Sequence, residues 1–365
     1  MSGIHNTRRD RARRMLASVG ADAALITSGV NVRYLTGLVS SNAAFLLACD
    51  GQAVLGTDSR YAGTAERECS DVELLVERNL EVELILRALA SGHRVIGFED
   101  LDLTVSRHAA AALAAAGSAE LVPLGDSVDD LRIVKDASEL ELLERACSIT
   151  SEAFSSLLDQ LRPGVSEREF AVALERTMVD LGAEAPAFDT IVASGPNGAV
   201  PHHAPGSRRF EVGDLVTVDC GARYEGYHAD MTRTVAIGEV AGWQREIYRI
   251  VAEAQALGVA ASVAGASVSE VDGVARDLIA DAGYGAQFSH GVGHGVGLLI
   301  HEAPWLGAGK TGTLQDRVPI TVEPGIYLPG TGGVRIEDTL VVRAGAGAAG
   351  SARSLTTITR ELLVL

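Results

Sequence analysis

The alternation of apolar and polar positions along the first third of the chain predicts short strands separated by helices. Short apolar runs bounded by turn residues predict strands at 21–28, 45–49, 53–57 and 94–99. Apolar residues at helical spacing predict helices at 10–20, 82–91 and about 104–116. Asp50-Gly51 separates the second and third strands, which is a hairpin signal. The pattern predicts a compact α/β domain over residues 1–128.

After residue 128 the pattern changes to longer helices and long strands. The first helix is indicated by apolar residues at helical spacing, namely Leu140, Leu143, Ala146 and Ile149. Ser138 with Glu141, and Ser166 with Glu169, are predicted capping boxes at two helix starts. Two more helices are predicted, over about 243–262 and 267–282. Small residues at 344–354 predict a mobile loop before a closing strand, and the whole segment 129–365 is predicted to be an α+β domain.

The composition describes a folded protein and argues against two classes of partner. A length of 365 residues, with 47% hydrophobic and 22% charged residues, is typical of a globular chain of two domains. The net charge of −17 argues against nucleic acid, because phosphate binding requires basic patches. No apolar run reaches the ~18–20 residues that span a bilayer, so no membrane partner is expected.

The cysteines and the N-terminus bear on the cellular compartment. The four cysteines occur singly, without a CxxC pair, at positions 49, 69, 147 and 220. This spacing argues against a disulfide framework and favours a reducing compartment. The arginine-rich N-terminus is not followed by the apolar core of an export signal, since Asp22 interrupts the best candidate. We therefore expect a cytoplasmic protein.

Five potential metal ligands lie in the C-terminal half, each where an apolar run meets a turn. They are Asp219, Asp230, His294, Glu323 and Glu337. Carboxylates in apolar strand segments are costly to bury, because desolvation opposes their ionised form. Asp219 and Asp230 are 11 residues apart around a predicted hairpin, which brings both carboxylates to one face. Four such carboxylates with a histidine have the composition of a two-metal site.

The donor set also restricts the metal. Oxygen ligands with one imidazole suit manganese, cobalt or magnesium better than a sulfur-rich zinc site. Cys220 follows Asp219, but neighbouring strand residues face opposite ways, which favours a small buried residue over a thiol ligand. Paired metal ions serve phosphatases, nucleases and aminopeptidases alike, so the chemistry indicates hydrolysis without specifying the bond.

Other histidines gather near these residues in the sequence. His202 and His203 lie in a loop rich in proline and glycine, and His290 and His301 flank His294. The spacing of four between His290 and His294 would suit a zinc helix, but the alternating glycines from 291 to 297 argue against any helix there. We favour a functional over a structural role for these histidines as a group.

The five ligand motifs, in this order, closely resemble those of the pita-bread metallopeptidases. The resemblance is to the branch of Xaa-Pro aminopeptidases (aminopeptidase P) and Xaa-Pro dipeptidases (prolidases). It covers nearly the whole chain, because NVRYLTG and TDSRY resemble the N-terminal domain of that branch and LRIVKDASELELLERA resembles its domain junction. It implies a creatinase N-terminal-like α/β domain followed by a pita-bread (creatinase/aminopeptidase-like) catalytic domain.

The resemblance implies specific roles for the metal ligands. Asp230, His294, Glu323 and Glu337 would bind one manganese-like ion, and Asp219, Asp230 and Glu337 the other. Cobalt is the alternative metal. A hydroxide shared by the two ions would attack the carbonyl before proline, with Glu323 as proton shuttle.

Five further residues match substrate or supporting positions of the family. His202 and His301 correspond to catalytic histidines that contact substrate, and His290 and Arg335 to residues around the metal and the prolyl residue. Tyr327 matches the lining of the proline pocket, and His203 matches no functional position. The resemblance also implies a homodimer that acts on short proline-containing peptides.

Several functions remain open at this stage. We favour an Xaa-Pro aminopeptidase because no large prolidase-type insertion is evident, with the Xaa-Pro dipeptidase as the alternative. A creatinase-like amidinohydrolase is disfavoured because its metal positions are replaced, whereas all five are present here. A non-catalytic binding protein on the same fold would be expected to have lost these ligands.

Overall fold

The computed structural model describes residues 2–345 and 352–365. The chain divides into two compact units, Met1–Arg132 and Ile133–Leu365. The boundary predicted after residue 128 lies four residues before this division. Most of the loop predicted at 344–354 lies outside the described residues. No helix within the described ranges is long and apolar enough to cross a bilayer.

The first unit is built on a six-stranded mixed sheet flanked by helices. Its strands, in the spatial order β4-β3-β2-β1-β5-β6, are β1 Ala23–Ile26, β2 Ala43–Ala48, β3 Ala53–Thr57, β4 Glu73–Val76, β5 Val95–Phe98 and β6 Glu120–Pro123. Its helices are α1 Ser2–Ser18, α2 Gly29–Thr36, α3 Ala62–Glu68, α4 Leu80–Ala90 and α5 Val105–Ala115. Strands β2 and β3 pair antiparallel around Asp50-Gly51, as the hairpin signal predicted. The edge strands β4 and β6 were not predicted, because their half-exposed residues carry little apolar pattern.

The second unit combines four long helices with short strands. The helices are α6 Ala137–Ser156, α7 Glu167–Asp180, α8 Gly242–Ala261 and α9 Val268–Asp281. The strands in its first half are β7 Ala185–Pro186, β8 Ile191–Ser194, β9 Leu215–Cys220, β10 Ala222–Tyr224, β11 Tyr227–His228 and β12 Met231–Ala236. Those in its second half are β13 Gly293–Gly295, β14 Glu302–Leu306, β15 Pro319–Val322, β16 Gly325–Leu328, β17 Gly332–Arg335, β18 Asp338–Val341 and β19 Arg353–Ser354.

Two apolar cores hold the strands of the second unit against its helices. The antiparallel sheet β12-β9-β8 packs with α6 and α7, and the residues Phe154, Phe170 and Val218 are fully buried there. The sheet β14-β13-β15-β18-β19 packs with α8 and α9 through a second fully buried cluster that includes Val251 and Val271. Since each strand buries an apolar face against helices, its end is held in a defined position, which matters for the polar residues located there.

Two local predictions for this unit need correction. The capping box of α6 is formed by Asp136 and Glu139 instead of Ser138 and Glu141, because the aspartate two residues earlier accepts the Glu139 N–H at 3.0 Å. The hairpin predicted between Asp219 and Asp230 is confirmed, since β9 and β12 pair antiparallel and their connection contains the smaller β10–β11 hairpin. The predicted C-terminal strand is reduced to a single bridge between Val364 and Ala236. The capping box of Ser166 and Glu169 is confirmed.

Candidate functional site

A cavity of about 900 Å³ lies within the second unit and contains most of the residues predicted for the site. Nine of the ten line it, namely His202, Asp219, Asp230, His290, His294, His301, Glu323, Arg335 and Glu337. The tenth, Tyr327, is not part of the lining and lies behind it, hydrogen-bonded to His290 and Arg335. Cys220, the last residue of β9, is fully buried in the apolar core and does not line the cavity.

The carboxylates of the cavity come from strand ends, as their sequence context predicted. Asp219 in β9 pairs with Thr232 in β12. Asp230 lies two residues before Thr232, just ahead of the start of β12. Glu323 follows β15, where Pro324 ends the strand, and Glu337 lies between β17 and β18. Residues at strand ends project from a rigid sheet, so their positions are set by the packed core below them.

The glycines around His294 are required by close backbone packing. A Cβ atom at Gly293 would overlap the carbonyl oxygen of Thr321, and one at Gly295 would overlap that of Ala303. The segment therefore forms the short strand β13, which pairs with both β14 and β15. This pairing carries the imidazole of His294 to the carboxylates and confirms that the segment is not helical.

Three ligand atoms come close enough to share one ion. The ligand atoms of Asp230, His294 and Glu337 all lie within 4.8 Å of one another. Nε2 of His294 is 3.6 Å from Oδ2 of Asp230 and 3.4 Å from Oε1 of Glu323. Nδ1 of His294 donates to the carbonyl oxygen of Gly295 at 3.0 Å, which leaves the Nε2 lone pair facing the carboxylates. Burial lowers the pKa of His294 to about 4, so the imidazole is neutral, as a metal ligand must be.

The carboxylates destabilise one another in the absence of a cation. Burial and the neighbouring carboxylates of Glu337 and Asp219 raise the pKa of Asp230 well above its usual range. Burial, followed by repulsion from Glu323, has the same effect on the pKa of Glu337. Burial raises the pKa of Glu323 to about 8, although Arg335 opposes this shift. A bound divalent cation would remove this repulsion and favour the ionised forms.

Asp219 provides a second sign that the site fits metal ions. Its Oδ1 atom is buried and has no hydrogen-bond partner among the described residues, whereas its Oδ2 accepts from Arg335 at 2.7 Å. An unpartnered buried carboxylate oxygen is costly unless a cation or water satisfies it. The donor set of four carboxylates and one neutral imidazole therefore fits divalent ions that prefer oxygen ligands.

A chain of hydrogen bonds links Asp219 through Arg335 and Tyr327 to His290. Arg335 donates to Asp219, to the hydroxyl of Tyr327 at 2.9 Å and to the carbonyl of Pro201 at 3.3 Å. His290 donates from Nδ1 to the carbonyl of Gly291, so its Nε2 accepts the Tyr327 hydroxyl at 2.9 Å. Burial lowers the pKa of His290 to about 4 and raises that of Tyr327 to about 12, which keeps both groups neutral.

The imidazoles of His202 and His301 are not engaged in hydrogen bonds with other described residues. Both line the cavity, and within residues 2–345 and 352–365 no hydrogen bond to either ring is found. The ring of His301 lies edge-on to that of His294, with 4.5 Å between centroids. Burial lowers the pKa of His301. Two uncommitted imidazoles that line the same cavity as the carboxylates are suited to contact a substrate.

The sequence analysis missed how His202 is held in place. The neighbouring His203 donates from Nε2 to Oε2 of Glu167 at 2.8 Å. The Glu167 side chain, 0% exposed, also accepts from Ser194 N–H and O–H, from the Asn197 amide and from the Gly206 N–H, at 2.7–3.0 Å. These partners lie 27 to 39 residues from Glu167 in sequence, so no local pattern reveals the cluster.

Comparison with known proteins shows similarity over both units. The family model for "Metallopeptidase family M24" matches residues 141–344, and that for "Creatinase/Prolidase N-terminal domain" matches residues 8–134. A Xaa-Pro dipeptidase of Pyrococcus furiosus is 45% identical over 244 residues, covering 67% of this chain and 69% of that protein.

Two solved structures resemble nearly the whole chain. A Xaa-Pro dipeptidase from Bacillus anthracis is 38% identical with a TM-score of 0.94, covering 99% of this chain and 100% of that one. An X-Pro aminopeptidase from Thermotoga maritima is 35% identical with a TM-score of 0.88, covering 98% and 99%. Proteins named for either substrate length therefore share this fold.

Proposed function

Since the chain belongs to metallopeptidase family M24, we propose that it is a Xaa-Pro dipeptidase, which hydrolyses the bond before proline in dipeptides. The choice of dipeptides as the substrate rests on one observation. The chain is similar over nearly its full length to the Xaa-Pro dipeptidase structure from Bacillus anthracis. The Pyrococcus furiosus relative bears the same name. The sequence analysis favoured the aminopeptidase, and the comparisons support the dipeptidase alternative better.

In this proposal, five residues hold two divalent ions, most suitably Mn²⁺, with Co²⁺ as the other candidate. They are Asp219, Asp230, His294, Glu323 and Glu337. When bound, such ions polarise the scissile carbonyl and activate a water molecule for attack. The mutual repulsion of the buried carboxylates supports this assignment, because bound divalent cations would relieve it while the carboxylates stay ionised.

We assign Glu323 the transfer of a proton. Its side chain is 18% exposed, compared with 6% for Asp230 and 12% for Asp219, so its carboxylate is the most accessible of these three. A carboxylate that faces both the cavity and the ligand cluster can take a proton from water and deliver it to the prolyl nitrogen. As in any amide hydrolysis, the prolyl nitrogen must gain a proton before it can leave as an amine.

The histidines and Arg335 position the substrate in this proposal. The free imidazoles of His202 and His301 can donate to the scissile carbonyl oxygen as negative charge develops there. Arg335 holds Asp219 and, through Tyr327, the ring of His290, so the prolyl side of the cavity is ordered before substrate binds.

An Xaa-Pro aminopeptidase is the second candidate, because the Thermotoga maritima structure of that name also covers nearly the whole chain. We further propose that the enzyme is cytoplasmic and forms homodimers. Its four cysteines are free, which supports a reducing compartment. The dimer rests on the family resemblance and is tested by analytical ultracentrifugation.

Hydrolysis of three peptides by manganese-loaded protein tests the function. We expect cleavage of Ala-Pro, little cleavage of Ala-Pro-Ala, none of Ala-Ala-Ala, and loss of all activity after chelation. Rapid cleavage of Ala-Pro-Ala would instead establish the aminopeptidase. Cleavage of Ala-Ala-Ala at a similar rate would remove proline specificity, and inactivity on all three would contradict a peptidase.

A further inference from the structure

Thr232 is a buried polar residue beside the predicted metal ligands, and the proposed function gives it no role. It is 0% exposed, it lies two residues after Asp230, and it pairs with Asp219 across the β9–β12 ladder. Directly paired residues of an antiparallel ladder carry their side chains on the same face of the sheet. The Thr232 hydroxyl and the Asp219 carboxylate therefore share one face, and Thr232 does not line the cavity itself.

The Thr232 hydroxyl links Glu337 to Asp219 through one intermediate side chain. It donates to Oε2 of Glu337 at 2.7 Å and accepts from Nε of Arg335 at 3.0 Å. The direction of both bonds is fixed, because a guanidinium can only donate and the hydroxyl has a single hydrogen. Arg335 in turn donates to Oδ2 of Asp219 at 2.7 Å. A chain of three hydrogen bonds thus holds the two carboxylates relative to each other.

The main chain of Glu337 is also held at Thr232. Glu337 lies between β17 and β18, outside both strands. Its N–H donates to the carbonyl oxygen of Thr232 at 3.1 Å, and its own carbonyl oxygen accepts from Arg233 at 2.6 Å. Arg233 is fixed in turn by the Asp338 carboxylate at 2.7 Å. Among the described residues, the Thr232 hydroxyl is the one hydrogen-bond donor found for the Glu337 side chain, so it sets the orientation of that carboxylate.

One hydrogen bond orients a carboxylate and still leaves it free to bind ions. An ionised carboxylate offers about four lone-pair sites, so Glu337 can accept from Thr232 and keep the remaining sites for cations. Without the hydroxyl, the carboxylate could rotate about its last side-chain bond. Hydrogen-bond partners of metal ligands contribute about 10- to 100-fold to metal affinity, so the loss of this bond should be measurable.

A different threonine holds the remaining ligands. Thr321 accepts the N–H of His294 at 3.1 Å and donates to Oε1 of Glu323 at 3.5 Å. Within the described parts of the chain, no hydrogen bond joins Thr232 to either of these two ligands. In the two-ion assignment proposed above, His294 and Glu323 belong to one ion and Asp219 belongs to the other. The contacts of Thr232 therefore concern the ion that has Asp219 as a ligand.

We propose that Thr232 is a positioning residue for the ion assigned to Asp219, Asp230 and Glu337. The inference rests on the two-ion site of the proposed function and goes beyond it by separating the two ions. Loss of the Thr232 hydroxyl weakens that ion selectively, and the ion that also has a histidine ligand stays bound. Because Thr232 does not line the cavity, it acts through the ligands and does not contact a substrate.

Calorimetric titration of Mn²⁺ into metal-free protein tests this role, and wild type is expected to bind two ions. For Thr232→Val, we expect the affinity for one ion to fall about 10- to 100-fold and that for the other to stay within about threefold of wild type. Electron paramagnetic resonance gives an independent signature. At the same Mn²⁺ concentration, wild type should show a spin-coupled pair of ions and Thr232→Val an isolated ion. Thr232→Ser keeps the hydroxyl and should restore both results.

Thr217→Val is the matched control. Thr217 is 4% exposed, lies on β9 and pairs with Thr234, whose hydroxyl it contacts at 3.0 Å. The substitution removes a buried hydroxyl from the same pair of strands and should leave both affinities unchanged. Hydrolysis of Ala-Pro gives a further reading. For Thr232→Val, activity should recover as the Mn²⁺ concentration is raised, because no reacting group has changed.

The outcomes separate this inference from the proposed function. If wild type binds two ions and Thr232→Val binds both with the same affinities, the role of Thr232 is overturned while the proposed function stands. An equal loss of both ions also overturns it, since the residue would then support the whole site without selectivity. If circular dichroism shows that Thr232→Val does not fold, Thr232→Ala takes its place with the same expected results. If wild type binds fewer than two ions, the two-ion site of the proposed function fails first, and the inference fails with it.

Discussion

Replacing Glu167 by glutamine tests whether the buried carboxylate beneath the His202 loop supports catalysis. Its two oxygens accept five hydrogen bonds, three at Oε1 and two at Oε2. Glutamine keeps one of these oxygens and replaces the other by an NH₂ group, which is a donor. The donors that face this NH₂ group therefore lose their acceptor. Although burial opposes ionisation, the bonds from Asn197, His203 and Ser194 hold the pKa of Glu167 below its ordinary value, and glutamine also loses this charge.

The size of the effect follows from the bonds that are lost. If the NH₂ group replaces Oε2, the His203 ring can change tautomer, but the Gly206 N–H loses its acceptor. Hydrogen bonds to a charged group contribute about 1.5–3 kcal/mol each, so we expect a loss of about 2–4 kcal/mol in the free energy of unfolding. A small displacement of His202 should lower kcat/KM by about 10- to 100-fold.

Urea denaturation followed by fluorescence measures the stability, because both tryptophans, Trp243 and Trp305, lie in the second unit. The difference between wild type and Glu167→Gln should shrink below about pH 4.5, since a carboxylate with a lowered pKa stabilises the fold only while ionised. Glu169→Gln, at an exposed position on the same helix, is the control and should leave kcat/KM unchanged. Stability within 0.5 kcal/mol of wild type, or an unchanged kcat/KM in folded protein, would refute the reasoning.

Three further predictions concern the carboxylate cluster and its support. Asp230→Asn should abolish both bound metal, measured by elemental analysis, and activity, and full turnover in a folded variant would contradict the site. In metal-free protein, Glu323, whose pKa is raised to about 8, stabilises the fold below about pH 4.5 and loses that contribution as pH rises through 8. The melting temperature of metal-free protein should therefore fall between pH 5 and 8, and that of metal-loaded protein should not. Tyr327→Phe removes the hydroxyl between Arg335 and His290, and kcat/KM should fall about tenfold with unchanged metal content.

The family and fold class predicted from the sequence are confirmed by the comparisons. Strand ends were predictable because apolar alternation stops where a carboxylate or Pro324 follows, and these signals are local. The alternating glycines around His294 are also a local signal, and they correctly argued against a helix there. The capping box of α6 was misplaced by two residues, because Asp136 and Ser138 both satisfy the local pattern and only the folded helix shows which one accepts the Glu139 N–H.

The choice between substrate lengths could not be read from the chain alone. Structures named for a dipeptidase and for an aminopeptidase both resemble nearly the whole chain, so the missing insertion that favoured the aminopeptidase did not distinguish the two. Trp305 carries no motif, and its place in the cavity lining follows only from the pairing of β14 with β13.

By itself, the sequence determined the fold class, most of the longer helices and the identity of the potential ligands, because these depend on residue type and short-range periodicity. The tertiary structure alone decided which polar groups remain available. It pairs Arg335 with Asp219, 116 residues apart, and Glu167 with His203, 36 residues apart, and among the described residues it leaves the rings of His202 and His301 without hydrogen-bond partners. Hydrogen bonds across such separations depend on how the sheets pack, and no local pattern encodes that packing.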